Sequence, residues 1–147
     1  MNEPLWRPSE TRIRESNLTA FREAAAKAWG VALPDYAALY RFSVDEKAKF
    51  WRSVVDFAGL KAALWGEAVL EAEDRMPGAI WFPEARLNFA ENLLRRRDAG
   101  DAIVFWGEDQ VRRRLSHGDL YDQVSRFAQA LKSAGVQPGD RVGLWLK

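Results

Sequence analysis

Apolar residues recur at helical spacing along the first third of the chain. Leu18, Phe21, Ala25 and Ala28 share one face, Asn17 stands at a cap position and Gly30 follows as a stop. That pattern predicts a helix from Asn17 through Trp29. Asp35 predicts the cap of a short second helix carrying Tyr36, Leu39 and Tyr40. Ser43-Val44-Asp45-Glu46 has capping-box spacing, with serine at the cap and glutamate three residues on. The helix it opens lines up Lys47, Phe50, Val54 and Phe57, sets Trp51, Val55 and Ala58 beside them, and ends at Gly59.

From Gly66 the helical period fades. Val69 to Ala72 reads as a short strand, Arg75-Met76-Pro77-Gly78 as a turn, and Trp81-Phe82 as extended chain ahead of Pro83. Asn88 predicts the cap of a short helix through Leu94, with Arg95, Arg96 and Arg97 at its C-terminal end, where the helix dipole favours cations. Ala102–Trp106 and Val111–Leu115 predict a hairpin around Gly107-Glu108-Asp109-Gln110. Ser116 caps the next helix, Asp119 suits its first turn, and Leu120, Val124, Phe127 and Leu131 form its apolar stripe up to Gly135.

A turn, Gly135-Val136-Gln137-Pro138-Gly139-Asp140, then leads into Arg141-Val142-Gly143-Leu144-Trp145-Leu146. A strand apolar on both faces belongs inside a sheet covered on both sides. The fold class expected is therefore α+β: a helical N-terminal cap over residues 1–66, then from residue 67 a hairpin and the first helix-strand unit of a larger, incomplete α/β domain. With its last strand uncovered, the chain is expected to be the front part of something longer. Alone, it is expected to self-associate through that strand.

Composition narrows the function classes. Twenty-two basic residues against 21 acidic ones leave a net charge of +1, which gives no global field for nucleic acid or anionic membrane. No apolar run approaches a membrane span, and the N-terminus lacks a secretory layout. The absence of cysteine excludes disulfides, a thiolate nucleophile and cysteine-bound metal. A cytoplasmic location is expected. The seven tryptophans are read as packing residues.

Three stretches together resemble one family. Trp81-Phe82-Pro83-Glu84-Ala85-Arg86-Leu87-Asn88-Phe89-Ala90-Glu91-Asn92-Leu93-Leu94 resembles the WFxGxxLNxAENLL signature of short-chain acyl-CoA synthetases. Leu115 to Leu120 resembles their strand-to-helix step, and Gly135 to Val142 is similar to the GVxxGDRV turn of the adenylate-forming superfamily. Leu5-Trp6-Arg7-Pro8-Ser9, Tyr36 to Val44 and Phe50-Trp51 narrow the resemblance to the acetoacetate-activating synthetases, ahead of the acetyl- and propionyl-activating ones. Glu84 departs from the pattern, since many relatives place glycine there.

The resemblance implies a ligase that joins acetoacetate to coenzyme A through an acyl-adenylate, using ATP and Mg²⁺. Such chemistry requires a Gly/Ser/Thr-rich phosphate loop, oxygen ligands for magnesium and a lysine for the charge developing on the carboxylate. The ten glycines are scattered over turns and helix ends, and neither GxGxxG nor GxxxxGK[ST] occurs. In the family those parts lie beyond the GDRV strand. No catalytic, cofactor-binding or metal-binding residue is therefore assigned in this segment, and no ligand is expected on it. The alternatives are a free-standing, non-catalytic binding or assembly domain, or the same segment of an acetyl- or propionyl-activating synthetase.

Several residues invite sharper readings. His117, the single histidine, could be a general base, but at a helix start it reads as a surface residue. Glu108 and Asp119 could be paired carboxylates, yet nothing fixes their geometry. Arg95–Arg97 and Arg112–Arg114 could hold phosphate, including that of coenzyme A, but they suit a helix end and a polar strand. Trp81, Phe82, Asn88 and Asn92 could line an acyl or coenzyme A entrance. Burial and helix capping account for the same residues.

Overall fold

The structure is a computed structural model that describes residues 5–108 and 110–143. It divides into two compact units, Met1–Asn88 and Phe89–Lys147. Each is built on its own terms.

The first unit is helical. α1 (Glu10–Arg14) is capped by Ser9, whose side chain accepts from the Arg12 amide, and α2 (Asn17–Trp29) is capped by Ser16, which accepts from the Thr19 amide at 3.2 Å. The cap of α2 is thus Ser16 and not Asn17. The same hydroxyl donates to the Ile13 carbonyl at 2.8 Å, which ties the end of α1 to the start of α2. Gly30 ends α2 at φ 64°, in the left-handed region that glycine adopts without a Cβ penalty.

α3 (Tyr36–Asp45) opens at Asp35 as expected, the carboxylate accepting from the Ala38 amide at 2.8 Å. It then runs on through the proposed capping box. Leu39 and Phe42 lie three residues apart and are both buried, so burying Phe42 carries the helix past Ser43. Inside the helix, the Ser43 hydroxyl donates back to the Tyr40 carbonyl at 2.7 Å. Glu46 makes no side-chain cap at the start of α4 (Lys47–Ala58) and pairs with Lys49 at 2.8 Å. Gly59 ends α4 at φ 60°.

α4 packs against both α2 and α3. The core is Phe21, Ala25, Leu33, Leu39 and Phe42, flanked by Phe50 and Val54. Phe21 meets Phe50 and Phe57 edge-on, at 5.6 and 5.5 Å between centroids, a geometry that aromatic quadrupoles favour. The buried Ser53 hydroxyl accepts from Trp29 Nε1 at 2.8 Å and donates to the Lys49 carbonyl at 2.9 Å. Beyond α4, β1 (Leu70–Glu71) pairs antiparallel with β2 (Ile80–Trp81), where short extended segments were expected.

The second unit begins with α5 (Phe89–Leu93), followed by β3 (Asp101–Trp106), β4 (Arg112–Ser116) and α6 (His117–Ser133). β3 and β4 form the expected hairpin, with Ile103 opposite Leu115, Phe105 opposite Arg113 and a bulge between Asp101 and Ile103. α6 packs on both strands. Among its described residues this unit has no buried side chain. Residues 141–143 carry no strand pairing, contrary to the strand expected there. A strand exists only through a ladder, and no described residue offers them one. Residues 144–146 of that expected strand lie outside the described residues, as does Asp109 of the hairpin turn.

Candidate functional site

The segment from Trp81 to Asn88 closes the first unit with a tight turn. Phe82 is not extended: its φ is 46°, a left-handed angle that costs a side-chain-bearing residue free energy. Its amide donates to the Val69 carbonyl at 2.8 Å, and its carbonyl accepts from the Ala85 amide at 2.9 Å. The pre-proline bias toward extended chain yields to this Phe82–Ala85 turn. The Phe82 ring stands edge-on to Trp65 at 5.4 Å, and Trp81 edge-on to Trp51 at 5.7 Å. Trp51, Trp81 and Phe82 line a shallow cleft of about 290 Å³. Trp81 keeps 41% of its surface exposed, so packing on Trp51 leaves an aromatic face uncovered.

Glu84 has a specific partner. Its carboxylate accepts from the Glu67 amide at 2.8 Å, and its side chain fills the space beside Gly66, which sits at φ 73°. Leu64 and Arg86 bridge the same two segments antiparallel. Glutamate is accommodated at position 84 because the facing residue is glycine. Asn88 directly precedes α5.

In the second unit the basic triplets are engaged locally. Arg96 donates to both oxygens of Asp98, at 2.9 and 3.0 Å, and Arg97 lies over the Tyr121 ring at 3.7 Å. Arg112 lies over the Trp106 ring at 4.6 Å, and Arg114 pairs with Asp101. The Asp98 carboxyl is held below its ordinary range, first by the Arg96 hydrogen bond and then by the Gly100 amide. The amides of His117 and Gly118 donate to the carbonyls of Gly100 and Asp98 at 3.0 and 3.1 Å, which sets the start of α6 against the 98–100 loop.

Asp119 does more than suit the first turn of α6. Ser116 accepts from the Asp119 amide at 3.1 Å, and the Asp119 carboxylate accepts from the Ser116 amide and hydroxyl at 3.3 and 2.6 Å, a complete capping box. The hydroxyl and amide hold the Asp119 carboxyl below its ordinary range. Asp119 is therefore committed to the helix start, while Glu108 lies in the hairpin turn. At the far end of α6, the Val136 amide reaches the Leu131 carbonyl at 3.1 Å and Gly135 takes φ 83°. Gln137-Pro138-Gly139-Asp140 has proline at its second position, Gly139 at φ 99° and an Asp140-to-Gln137 backbone bond of 3.1 Å, the requirements of a type II turn. The Asp140 carboxylate also accepts from the Gln137 amide at 2.8 Å.

Among the described residues no three His, Cys, Asp or Glu side chains gather where they could hold a metal, and no helix is long and apolar enough to cross a membrane. The Asp98 and Asp119 carboxylates are each engaged locally, by Arg96 and by Ser116.

Residues 36–93 match the acetyl-coenzyme A synthetase N-terminus family, and residues 90–147 match the AMP-binding enzymes. The handover falls next to the division between the compact units. The chain is 42% identical over 139 residues to an acetoacetyl-coenzyme A synthetase of Rhizobium meliloti, covering 95% of this chain and 21% of that protein. It is 32% identical over 147 residues to a malonamoyl-CoA synthetase of Penicillium aethiopicum. The solved acetoacetyl-CoA synthetase from Streptomyces lividans superposes with a TM-score of 0.84 at 38% identity, over 96% of this chain and 22% of that one. The chain is thus homologous to acetoacetyl-CoA synthetases along nearly its whole length, and spans about a fifth of theirs.

Proposed function

We propose that this chain is the N-terminal part of a ligase forming acetoacetyl-CoA from acetoacetate, coenzyme A and ATP through an acyl-adenylate. The observation that carries the proposal is the homology to acetoacetyl-CoA synthetases over 95% of the chain. In this reading residues 1–66 are a helical cap and residues 67–147 begin the adenylate-forming domain, which works in the cytoplasm. When bound, ATP with Mg²⁺ and coenzyme A supplies the activation and the thiol. No residue of this segment is assigned to holding them.

Its contribution is scaffold. The capping box of Ser116 and Asp119 fixes where α6 starts, and the Gly135–Asp140 turn fixes the direction in which the chain leaves it. Self-association through residues 141–146 belongs to the same proposal, and sedimentation of the 147-residue chain tests it. A clean monomer across the concentration range would remove it.

The malonamoyl-CoA synthetase homology supports a second reading, in which the same scaffold serves a different short acid. Purifying the natural protein that carries this chain and measuring coenzyme A-dependent AMP release separates the two. Acetoacetate is expected to give a kcat/KM at least tenfold above acetate, propionate and malonamate. A preference for any of the other three acids refutes the proposed substrate. Absence of AMP release with all four refutes the ligase.

A further inference from the structure

Two clefts of the first unit adjoin. One, of about 430 Å³, lies among α1, the start of α2 and the start of α3, and is lined by Arg12, Ile13 and Arg22. The other, of about 450 Å³, is an apolar groove lined by Phe21, Tyr40, Phe50 and Phe57. Leu18, Tyr36 and Leu39 line both. The two therefore form one trough with a cationic end and an apolar run. Each lobe has the size of a small-molecule site.

The charges of the trough are one-sided. Among the described residues neither lobe is lined by an aspartate or glutamate. Arg22 Nη1 donates to the Pro34 carbonyl at 2.5 Å, but its Nε is shielded from solvent with no hydrogen-bond partner. Arg12 lies over the Trp6 ring at 5.8 Å, so its charge also remains without an ionic partner among the described residues. The apolar run exposes what packing normally covers: Leu18 is 52% exposed, Tyr36 67% and Tyr40 59%.

We infer that this trough binds a small amphiphilic carboxylate, with its head group on Arg22 and Arg12 and its alkyl chain along Leu18, Tyr36 and the Phe21–Phe57 groove. A carboxylate is the acceptor that guanidinium geometry matches best. An alkyl chain of moderate length suits a groove without polar side chains apart from Asn17, Ser43 and the tyrosine hydroxyls. An amine would meet two cations, and a neutral ester would bring an acceptor but no charge to them. The site lies in the helical cap of that reading but uses no step of the ligase chemistry, so binding to it is tested separately from turnover.

The test is titration of the 147-residue chain with octanoate, followed by tryptophan fluorescence and by the chemical shifts of Leu18 and Leu39. Saturable binding is expected in the micromolar to low millimolar range, with methyl octanoate and octylammonium at least tenfold weaker. Arg22→Gln should weaken octanoate at least tenfold, and Arg22→Lys less so, at unchanged circular dichroism. If Arg22→Gln fails to fold, the ester and amine comparisons on the unaltered chain decide. No saturable octanoate binding, or equal binding of the ester or the amine, overturns the inference. So does equal octanoate binding by a folded Arg22→Gln chain.

Discussion

Gly66→Ala isolates the contact that lets this chain carry glutamate at position 84. A Cβ built on Gly66 would stand 2.5 Å from the Glu84 Cβ and 2.8 Å from its carboxyl carbon. Turning the Glu84 side chain away cannot relieve an overlap with its own Cβ, so the backbone segments must separate. Overpacking of that kind costs about 1–3 kcal/mol, and the φ of 73° at position 66 adds about 1–2 kcal/mol for any L side chain. The separation also strains the bond from the Glu67 amide to the Glu84 carboxylate. A loss of about 2–5 kcal/mol is expected, read from urea unfolding followed by tryptophan emission. The decisive arm is the double variant. Glu84→Gly removes the overlapping Cβ, so in that background Gly66→Ala should cost only its backbone share of about 1–2 kcal/mol. Equal cost of Gly66→Ala in both backgrounds would refute the close approach, and a cost under about 0.5 kcal/mol would refute the backbone argument as well.

Phe21→Ala removes a side chain that is 8% exposed and meets Phe50 and Phe57 edge-on; a loss of about 3–5 kcal/mol is expected by urea unfolding. Ser116→Ala breaks the capping box and should destabilise the start of α6 by about 1 kcal/mol, seen as faster amide exchange over residues 117–121. Acidification should loosen the second unit. Asp98 and Asp119 are both held below the ordinary carboxylate range, so their stabilisation is present above the unfolded-state value and is lost as pH falls through the lowered ones. Exchange at the His117 and Gly118 amides, followed from neutral pH into that acid window and corrected for intrinsic rates, should show it, and Asp119→Asn should flatten the response.

The helices were legible wherever a cap and an apolar stripe agreed. Asp35 and Gly59 are the clearest cases, because both signals depend on residues within one turn. Ser43 misled for a physical reason: its capping-box spacing is local, whereas Phe42 is drawn into the core by α2 and α4, and burial outweighed the cap. Phe82 misled in the same way, since the pre-proline rule is a dipeptide preference and the turn is fixed by Val69, a strand away. Glu84 was visible as a departure from the family pattern. Its consequence required Gly66, which lies 18 positions back in the sequence. The trough was not legible at all. No motif singles out Arg12 or Arg22, and only the packing of α1, α2 and α3 brings them to one cleft.

The two units differ in how much of their apolar surface they satisfy themselves, and that difference bears on the scaffold reading. The first encloses a small core and bonds its one buried hydroxyl, Ser53, on both sides. The second holds its polar groups in closed local sets, yet Val104, Phe105 and Trp106 of β3 remain 47%, 53% and 66% exposed. Val104 and Phe105 are neighbours along a strand, so they stand on opposite faces of the hairpin. A two-stranded hairpin with apolar residues on both faces is marginal by itself. α6 packs against the hairpin without burying any residue in full. Such a surface has the pattern of an interior sheet element. The polar constellations of this unit thus direct chain geometry, and its apolar faces are where further structure would add stability.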